Sequence, residues 1–371
     1  MRRRGVDASP AGVDAAALSR SGAPLRIVNA MLGRGLGGLE QALLDYGDAL
    51  SAYGHDVHTV IHPEAAIRPA LETRATAWHH VPHLGAWDVL AAIRLRLLLR
   101  RLQPDVCIAH GNRAMSLLRQ AGATPLIAVL PNYKMRCHGA AAVFHPTQDL
   151  KRHAMAQGVA ERRLFHIPSM VRVPASLPAH AWRTPPVIGA MGRFVAKKGF
   201  DIFIAALGRL RSLGVAFHAV LAGDGPELSA LQRHAQHQGV DDALTLPGWI
   251  GDKAAFFREI DIFCLPSLHE PFGIVLLEAM AHGKPIVTSD SEGPSEIVRD
   301  GHDAILVPRG DVNRLTAGLE RLIKQPACAA LLGNNARRHA IEEYDLPRVG
   351  ERLDHAVRTV ASGLTRSIKT G

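Results

Sequence analysis

This sequence predicts two α/β domains in tandem, each built on a mostly parallel sheet, and three observations lead to that expectation. Short apolar runs of strand length alternate with helix-patterned segments from residue 25 onward. Turns containing glycine follow several of these runs, at Gly33–Gly38, at His110-Gly111 and in LAGDGPE after Phe217–Leu221. In an open α/β sheet such turns sit beyond the carboxyl ends of the strands, where ligands bind. The alternation pauses once, at PASLPAHAWRTPP, Pro174–Pro186, whose proline density marks a linker. A chain of 371 residues is long enough for two domains with a core each. The expected division is a tail over 1–23, a first domain over 24–175, a linker over 176–186, a second domain over 187–344 and a C-terminal helix over 345–371.

Residues 1–23 begin with MRRR but hold no apolar run long enough for a signal-peptide core, and read as a loose tail. No stretch of about eighteen apolar residues follows anywhere, so no membrane span is expected. Leu25–Leu32 is an apolar strand, and glycines 33, 35 and 38 after it spell GxGxxG. A dinucleotide site would need an acid at the far end of the next strand. That strand is Asp56–Ile61, its one acid stands at its start, and its far end is His62-Pro63. A nicotinamide enzyme is therefore disfavoured. Either the glycines let strand and helix pack closely, or they face a ligand.

The segment DVLAAIRLRLLLRRLQ, Asp88–Gln103, reads as a helix ended by Pro104. Leu95, Leu98, Leu99 and Leu102 form one apolar face at helical spacing. Leu90, Ile93 and Leu97 form a second, with Arg94 and Arg101 on one side and Arg96 and Arg100 on the other. Two readings stand for that second face: it lies on a bilayer interface, or its arginines snorkel over neighbouring side chains. Asp105–Ala109 is the next strand, and His110 follows it, facing either a ligand crevice or a local hydrogen-bond partner. Leu126–Leu130 and Ala142–His145 are further strands. They are followed by the helix-like DLKRHAMAQGV and a strand ending in IPSMV.

After the linker, VIGAMGRF opens the second domain. Arg193 and Lys198 then stand in a loop before a helix, with Gly199 beside them. Two cations so placed can clamp a diphosphate, or can form a solvated basic loop. Phe217–Leu221, Leu244–Pro247 and Ile260–Leu265 supply more strands. The last leads into LPSLHEPFGIVLLEAMAHGKPIV, Leu265–Val287, around which the chain is organised. Pro271 and Gly273 break an extended run, and a helix apolar on every side follows from Ile274 to Ala281. Its first turn leaves the N–H groups of Phe272, Gly273 and Ile274 without intrahelical acceptors, which suits an anion. Glu278 in the helix needs a partner if it is buried. Glu278 and Glu270 either receive the hydroxyls of a sugar–nucleoside diphosphate, or Glu278 reaches an arginine in a structural pair.

These residues carry a resemblance. The E-P-F-G-x-x-x-x-E pattern of Glu270–Glu278, with DIFCLPS, GKPIV and EIVRDGHDAILVP around it, resembles family 4 glycosyltransferases of the GT-B fold. GGLEQALLDYGDALSAYGHDV resembles the G-G-x-E opening of the same family. The resemblance implies a GT-B fold, two Rossmann-like domains with an active site in the cleft between them. It implies transfer of a sugar from a nucleoside-diphosphate donor to an acceptor hydroxyl with retention, by an enzyme that needs no metal or other cofactor. On it, Glu270 and His110 approach the donor sugar, Arg193 and Lys198 stabilise the leaving diphosphate, and Glu278 holds the ribose. Ile250 meets the base, Phe272, Gly273 and Ile274 offer N–H groups to the diphosphate, and Gly37 and Gly38 border donor and acceptor. The family's Pro-Asn-Gly is Pro168-Ser169-Met170 here, a local departure. UDP is the default nucleotide, and the acceptor expected is a glycan or membrane glycolipid of lipopolysaccharide type. A sugar-nucleotide epimerase of this architecture and a non-catalytic membrane adaptor are the alternatives.

Composition narrows the partners. Residues 1–180 carry 21 Lys and Arg against 12 Asp and Glu, whereas residues 181–371 carry 22 of each. All the excess positive charge is in the first half, which calls for an anionic partner there. Aromatic residues are only 5% and no nucleic-acid motif accompanies the charge, so an anionic membrane surface is expected rather than nucleic acid. Four scattered cysteines without a CxxC pair fit a reducing compartment and give no zinc framework; no HExxH motif supports a metal hydrolase. The expected location is the cytoplasm, peripherally on the membrane.

Overall fold

The structure, a computed structural model, describes residues 22–35, 37–74, 76–178 and 181–363. The tail expected over 1–23 falls almost wholly outside them. Thirteen strands form two sheets among the described residues. The first sheet holds β1 (Arg26–Met31), β2 (Asp56–Ile61), β3 (Ala77–His80), β4 (Val106–His110), β5 (Leu126–Val129), β6 (Ala142–His145) and β7 (Leu164–His166), in the order β3-β2-β1-β4-β5-β6-β7. The second holds β8 (Val187–Met191), β9 (His218–Ala222), β10 (Leu244–Thr245), β11 (Ile262–Leu265), β12 (Ile286–Ser289) and β13 (Ile305–Val307), in the order β10-β9-β8-β11-β12-β13. Every pairing in the second sheet is parallel, as are β3–β2, β2–β1, β1–β4 and β6–β7 in the first. Parallel strands need crossover connections, and the helices that the sequence patterning announces supply them. By its contacts the chain divides into two compact units, one of residues 1–127 with 350–371 and the other of 128–349.

Each sheet reverses its strand order at one point: between β1 and β4 in the first, and between β8 and β11 in the second. The loops after those strands diverge there and leave a crevice. The second sheet is stable enough to hold such loops because it is buried on both faces. Ile262 and Cys264 of β11 enter one apolar cluster with Phe203, Leu207 and Leu319. Phe263 and Leu265, alternating with them, enter another with Phe257, Leu277 and Met280.

In the first unit, Met31 and Ile61 pack on Leu43 and Leu44 of the Gly38–Ala52 helix. Asp354 of the Leu346–Ala361 helix joins His55 at 2.6 Å and Arg358 at 2.8 Å. The Val89–Leu102 helix is capped by Asp88, whose side chain accepts from the N–H of Ala91 at 3.0 Å. Leu95, Leu99 and Leu102 are buried, while Leu90, Ile93 and Leu97 are 64%, 50% and 59% exposed. The neighbouring Leu84 and Trp87 are exposed as well, and so are Arg94, Arg96, Arg100 and Arg101. No helix among the described residues is long and apolar enough to cross a membrane.

Candidate functional site

In the second unit the candidate residues come from the two loops flanking the point of reversal. After β8 the chain turns through Gly192 and Arg193, then makes a single 3₁₀ turn, Ala196–Lys198. Gly199, at φ +64°, starts the Phe200–Ser212 helix. A Cβ there would lie 2.2 Å from the carbonyl oxygen of Pro266, so only glycine lets the β8 loop rest on the β11 loop. The N–H groups of Leu268 and His269 donate to the carbonyl of Lys197, at 2.9 and 3.1 Å, and lock the two loops together. That contact delivers the Lys198 ammonium to the carboxylate of Glu270, which is 8% exposed, and the two form an ion pair. Arg193 is exposed and has no side-chain hydrogen bond or ion pair among the described residues. The sequence presents Arg193 and Lys198 as an equivalent pair of cations. The structure separates them into one free guanidinium and one ammonium already neutralised by Glu270.

Glu270 is fixed from behind by Glu292, a residue absent from the sequence expectation. Glu292 accepts from the backbone N–H of Glu270 at 3.1 Å and from Arg309 at 3.1 Å, and meets His269 Nδ1 at 3.0 Å. Burial works against its ionisation, but these donors prevail and hold its carboxyl down at about 2. The N–H of Gly293 also donates to the Glu270 carbonyl at 2.7 Å. The signal in the sequence is the Ser-Glu-Gly-Pro turn after β12, a strand whose carboxyl end adjoins that of β11.

The Ile274–Ala281 helix begins at Gly273, whose φ of +103° is open to glycine alone at little cost. Leu276, Leu277, Ala279, Met280 and Ala281 are buried, so the all-round apolar pattern reflects enclosure. Among the described residues, the N–H groups of Phe272, Gly273 and Ile274 have no acceptor. Glu278 lies one turn along on the same face as Ile274, and helical side chains lean back toward the N-terminus. Its Oε1 accepts from Lys253 at 2.6 Å, and its Oε2 is buried with no partner. Burial raises its carboxyl above the ordinary range, with Lys253 opposing. The partner expected from sequence is an arginine; the structure supplies a lysine, from the first turn of the Lys253–Glu259 helix. Phe272 is buried against Tyr344, with ring centroids 6.4 Å apart, so it can offer a ligand only its backbone. Ile250 is half-buried on the same cluster as Phe257.

In the first unit, Gly37 and Gly38 are exposed at the start of the Gly38–Ala52 helix, beyond β1. His110 ends β4 with 1% exposure and an edge-on contact to Tyr46 at 5.0 Å between centroids. Asn29 of β1 donates Nδ2–H to the Leu43 carbonyl, which turns its Oδ1 toward His110 Nε2 at 2.8 Å. His110 therefore carries its proton on Nε2, and its Nδ1 is buried without a partner. Burial lowers its pKa to about 3, so the ring is neutral. It can accept a hydrogen bond from a hydroxyl; it cannot supply charge. Among the described residues no three His, Cys, Asp or Glu side chains gather as a metal site.

Several known proteins are similar to this chain. Residues 176–339 match the family model described as Glycosyl transferases group 1. The chain is 28% identical over 326 residues to the lipopolysaccharide core biosynthesis glycosyltransferase LpsE of Rhizobium meliloti (strain 1021), covering 83% of this chain and 92% of that one. It is 29% identical over 303 residues to LpsD of the same organism, covering 78% and 86%. Among solved structures, Anabaena HepE in complex with UDP and glucose superposes with a TM-score of 0.79 at 18% identity, over 90% of this chain and 100% of that one. The apo form of the lipopolysaccharide outer core galactosyltransferase WaaB superposes with a TM-score of 0.72 at 16% identity, over 91% and 99%. Those two likenesses establish the GT-B fold.

Proposed function

We propose that this glycosyltransferase, with its group 1 module over residues 176–339, moves a sugar from a nucleoside-diphosphate donor to an acceptor hydroxyl with retention at the anomeric carbon. UDP is the nucleotide and a glycolipid of lipopolysaccharide-core type the acceptor. One observation carries the reading: a buried, unpartnered carboxylate oxygen on Glu278 stands one turn above three unpaired backbone N–H groups. A ribose hydroxyl satisfies the first, and a diphosphate satisfies the second. Arg193 and Lys198 then meet the charge that grows on the leaving diphosphate, and the acceptor proton passes to a phosphate oxygen. Glu270 orients the donor sugar while holding Lys198 in place. His110 receives a donor hydroxyl at Nδ1. Radiolabelled nucleotide sugars test the class of reaction. A transferase releases nucleotide when acceptor is present, whereas an epimerase keeps the nucleotide attached to the sugar.

Turnover should need no divalent metal. The sequence contains no Asp-x-Asp pair to carry one to the diphosphate, and cations and helix N–H groups supply positive charge at that position. Activity should therefore persist in EDTA. Its loss, reversed by added magnesium or manganese, would overturn the expectation.

The acceptor reading is supported by the outer face of the Val89–Leu102 helix, where Leu90, Ile93 and Leu97 are exposed between four arginines, and by Trp87, exposed just before the helix. Such a surface suits the cytoplasmic face of an anionic membrane, each basic residue contributing on the order of 1 kcal/mol before screening by salt. Sedimentation with phosphatidylglycerol vesicles should be strong at low salt and fall as salt rises. Trp87→Ser with Ile93→Ser should weaken it without changing the melting temperature, since both side chains are exposed. Equal pelleting with neutral vesicles would count against the electrostatic reading.

A further inference from the structure

We infer that the first unit also holds an anion site for a phosphate monoester, at the carboxyl ends of β1, β2, β3 and β4, built from Arg34, His62, His83 and Arg113. Within the glycosyltransferase reading this group belongs to the acceptor. Each of the four residues follows a different strand: Arg34 follows β1, His62 follows β2, His83 follows β3, and Arg113 lies in the first turn of the Asn112–Gln120 helix after β4. Four neighbouring strands thus send one basic side chain each to the same edge of the sheet, where ligands of such sheets bind.

Their contacts draw them together. The carbonyl of Leu32 accepts both from Arg113 Nη1 at 3.0 Å and from His83 Nε2 at 2.9 Å. The His62 and His83 rings meet edge to face with centroids 4.7 Å apart. The two imidazoles are 3% and 5% exposed, while both guanidinium groups are at the surface above them. The hydrogen-bond roles are then fixed. The backbone N–H of Glu64 donates to His62 Nδ1 at 3.0 Å, so neutral His62 carries its hydrogen on Nε2. That nitrogen faces Arg34 Nη2 at 3.3 Å. Arg34 and Arg113 thus flank the imidazole pair, and their exposed guanidinium groups can receive the oxygens of one oxyanion.

His83 supplies an independent observation. Its Nε2–H is committed to a carbonyl, and its Nδ1 is buried and without a partner. An acceptor nitrogen beside a pair of donors matches a phosphate monoester that still carries one hydroxyl. Burial, and then the charges of Arg34 and Arg113, lower the pKa of both histidines, so the cluster feels both cations. Neutralisation from within is slight. Arg34 pairs with Glu64 at 3.0 Å, but both side chains are more than half exposed, where such a pair contributes little. Arg113 has no carboxylate partner among the described residues.

The test uses the full chain, with glycerol 3-phosphate and inorganic phosphate as soluble probes and phosphatidic acid vesicles as the lipid probe. Calorimetry should show saturable binding of a soluble probe that persists in Arg193→Ala. Arg34→Ala with Arg113→Ala should weaken it roughly a hundredfold, from the loss of charge-assisted bonds at two guanidinium groups. The corresponding double lysine variant should recover part of the loss, which separates charge from folding. UDP affinity should be unchanged in both double variants. Binding of vesicles alone, lost in the double alanine variant, assigns the same chemistry to a lipid headgroup. Phosphate binding that survives the double alanine variant, or that disappears in Arg193→Ala, overturns the site. Because no arm requires turnover, failure here leaves the glycosyltransferase reading standing, and failure of that reading leaves this site testable.

Discussion

Arg193→Ala should lower kcat by about two orders of magnitude or more and leave the melting temperature where it was. The side chain is exposed in the loop after β8 and holds no partner among the described residues, so its removal strands nothing. What it removes is a charge aimed at a group whose negative charge grows as the sugar departs, and such an interaction belongs to the transition state rather than the ground state. Lys198→Ala should cost a similar factor in kcat but should also lower the melting temperature. Its partner Glu270 is only 8% exposed and would be left as an uncompensated carboxylate. The double variant Lys198→Ala/Glu270→Gln should regain the melting temperature and not the turnover. Steady-state kinetics beside thermal unfolding separates the cases. Normal turnover in Arg193→Ala, with Lys198→Ala merely unstable, would show a solvated basic loop and a structural ion pair.

How far the sequence reaches depends on the kind of force at each position. Strands buried on both faces are legible, because continuous apolar runs such as those at β5 and β11 admit few other readings. The edge strand β3, Ala-Trp-His-His, is not, because half-exposed positions at a sheet edge carry no apolar alternation. The strand expected at Leu244–Pro247 ends two residues earlier in the structure, since Pro247 cannot continue a ladder. The helix at Ile274–Ala281 and its cap at Gly273 follow from composition and the Pro-Phe-Gly turn. Its electrostatic partners do not. Lys253 reaches Glu278 from 25 residues away, and Glu292 reaches Glu270 from 22. Neither distance is written in any local pattern; both are products of strand order. The burial of His110 is equally hidden, because its bond to Asn29 joins residues 81 positions apart in the chain.

Glu278→Gln should separate binding from stability in a way that no other substitution in this site does. The carboxyl is buried, its pKa is raised by that burial, and only one of its oxygens has a partner. A carboxyl whose folded pKa lies above its unfolded value of about 4.3 favours folding in its protonated form. Its ionisation therefore costs nothing at low pH, and the cost grows as pH rises from the unfolded value to the folded one, remaining constant beyond. Glutamine removes that cost and keeps the shape. Lys253, 39% exposed, can turn back to water once the charge is gone. The variant should therefore melt at the same temperature as the parent or higher at pH 7.5, with the difference vanishing near pH 4. Donor binding should move the other way. A charge-assisted bond to the ribose is worth roughly 1.5–3 kcal/mol, or about ten- to hundredfold in affinity, and the ribose does not react. KM for the donor should rise by that factor with kcat little changed. Calorimetry with UDP, unfolding curves across pH and donor kinetics together distinguish a ligand-holding carboxylate from a structural one. If the glutamine variant unfolds while its surviving fraction binds UDP normally, the Lys253–Glu278 pair is a structural tie and the ribose is held elsewhere.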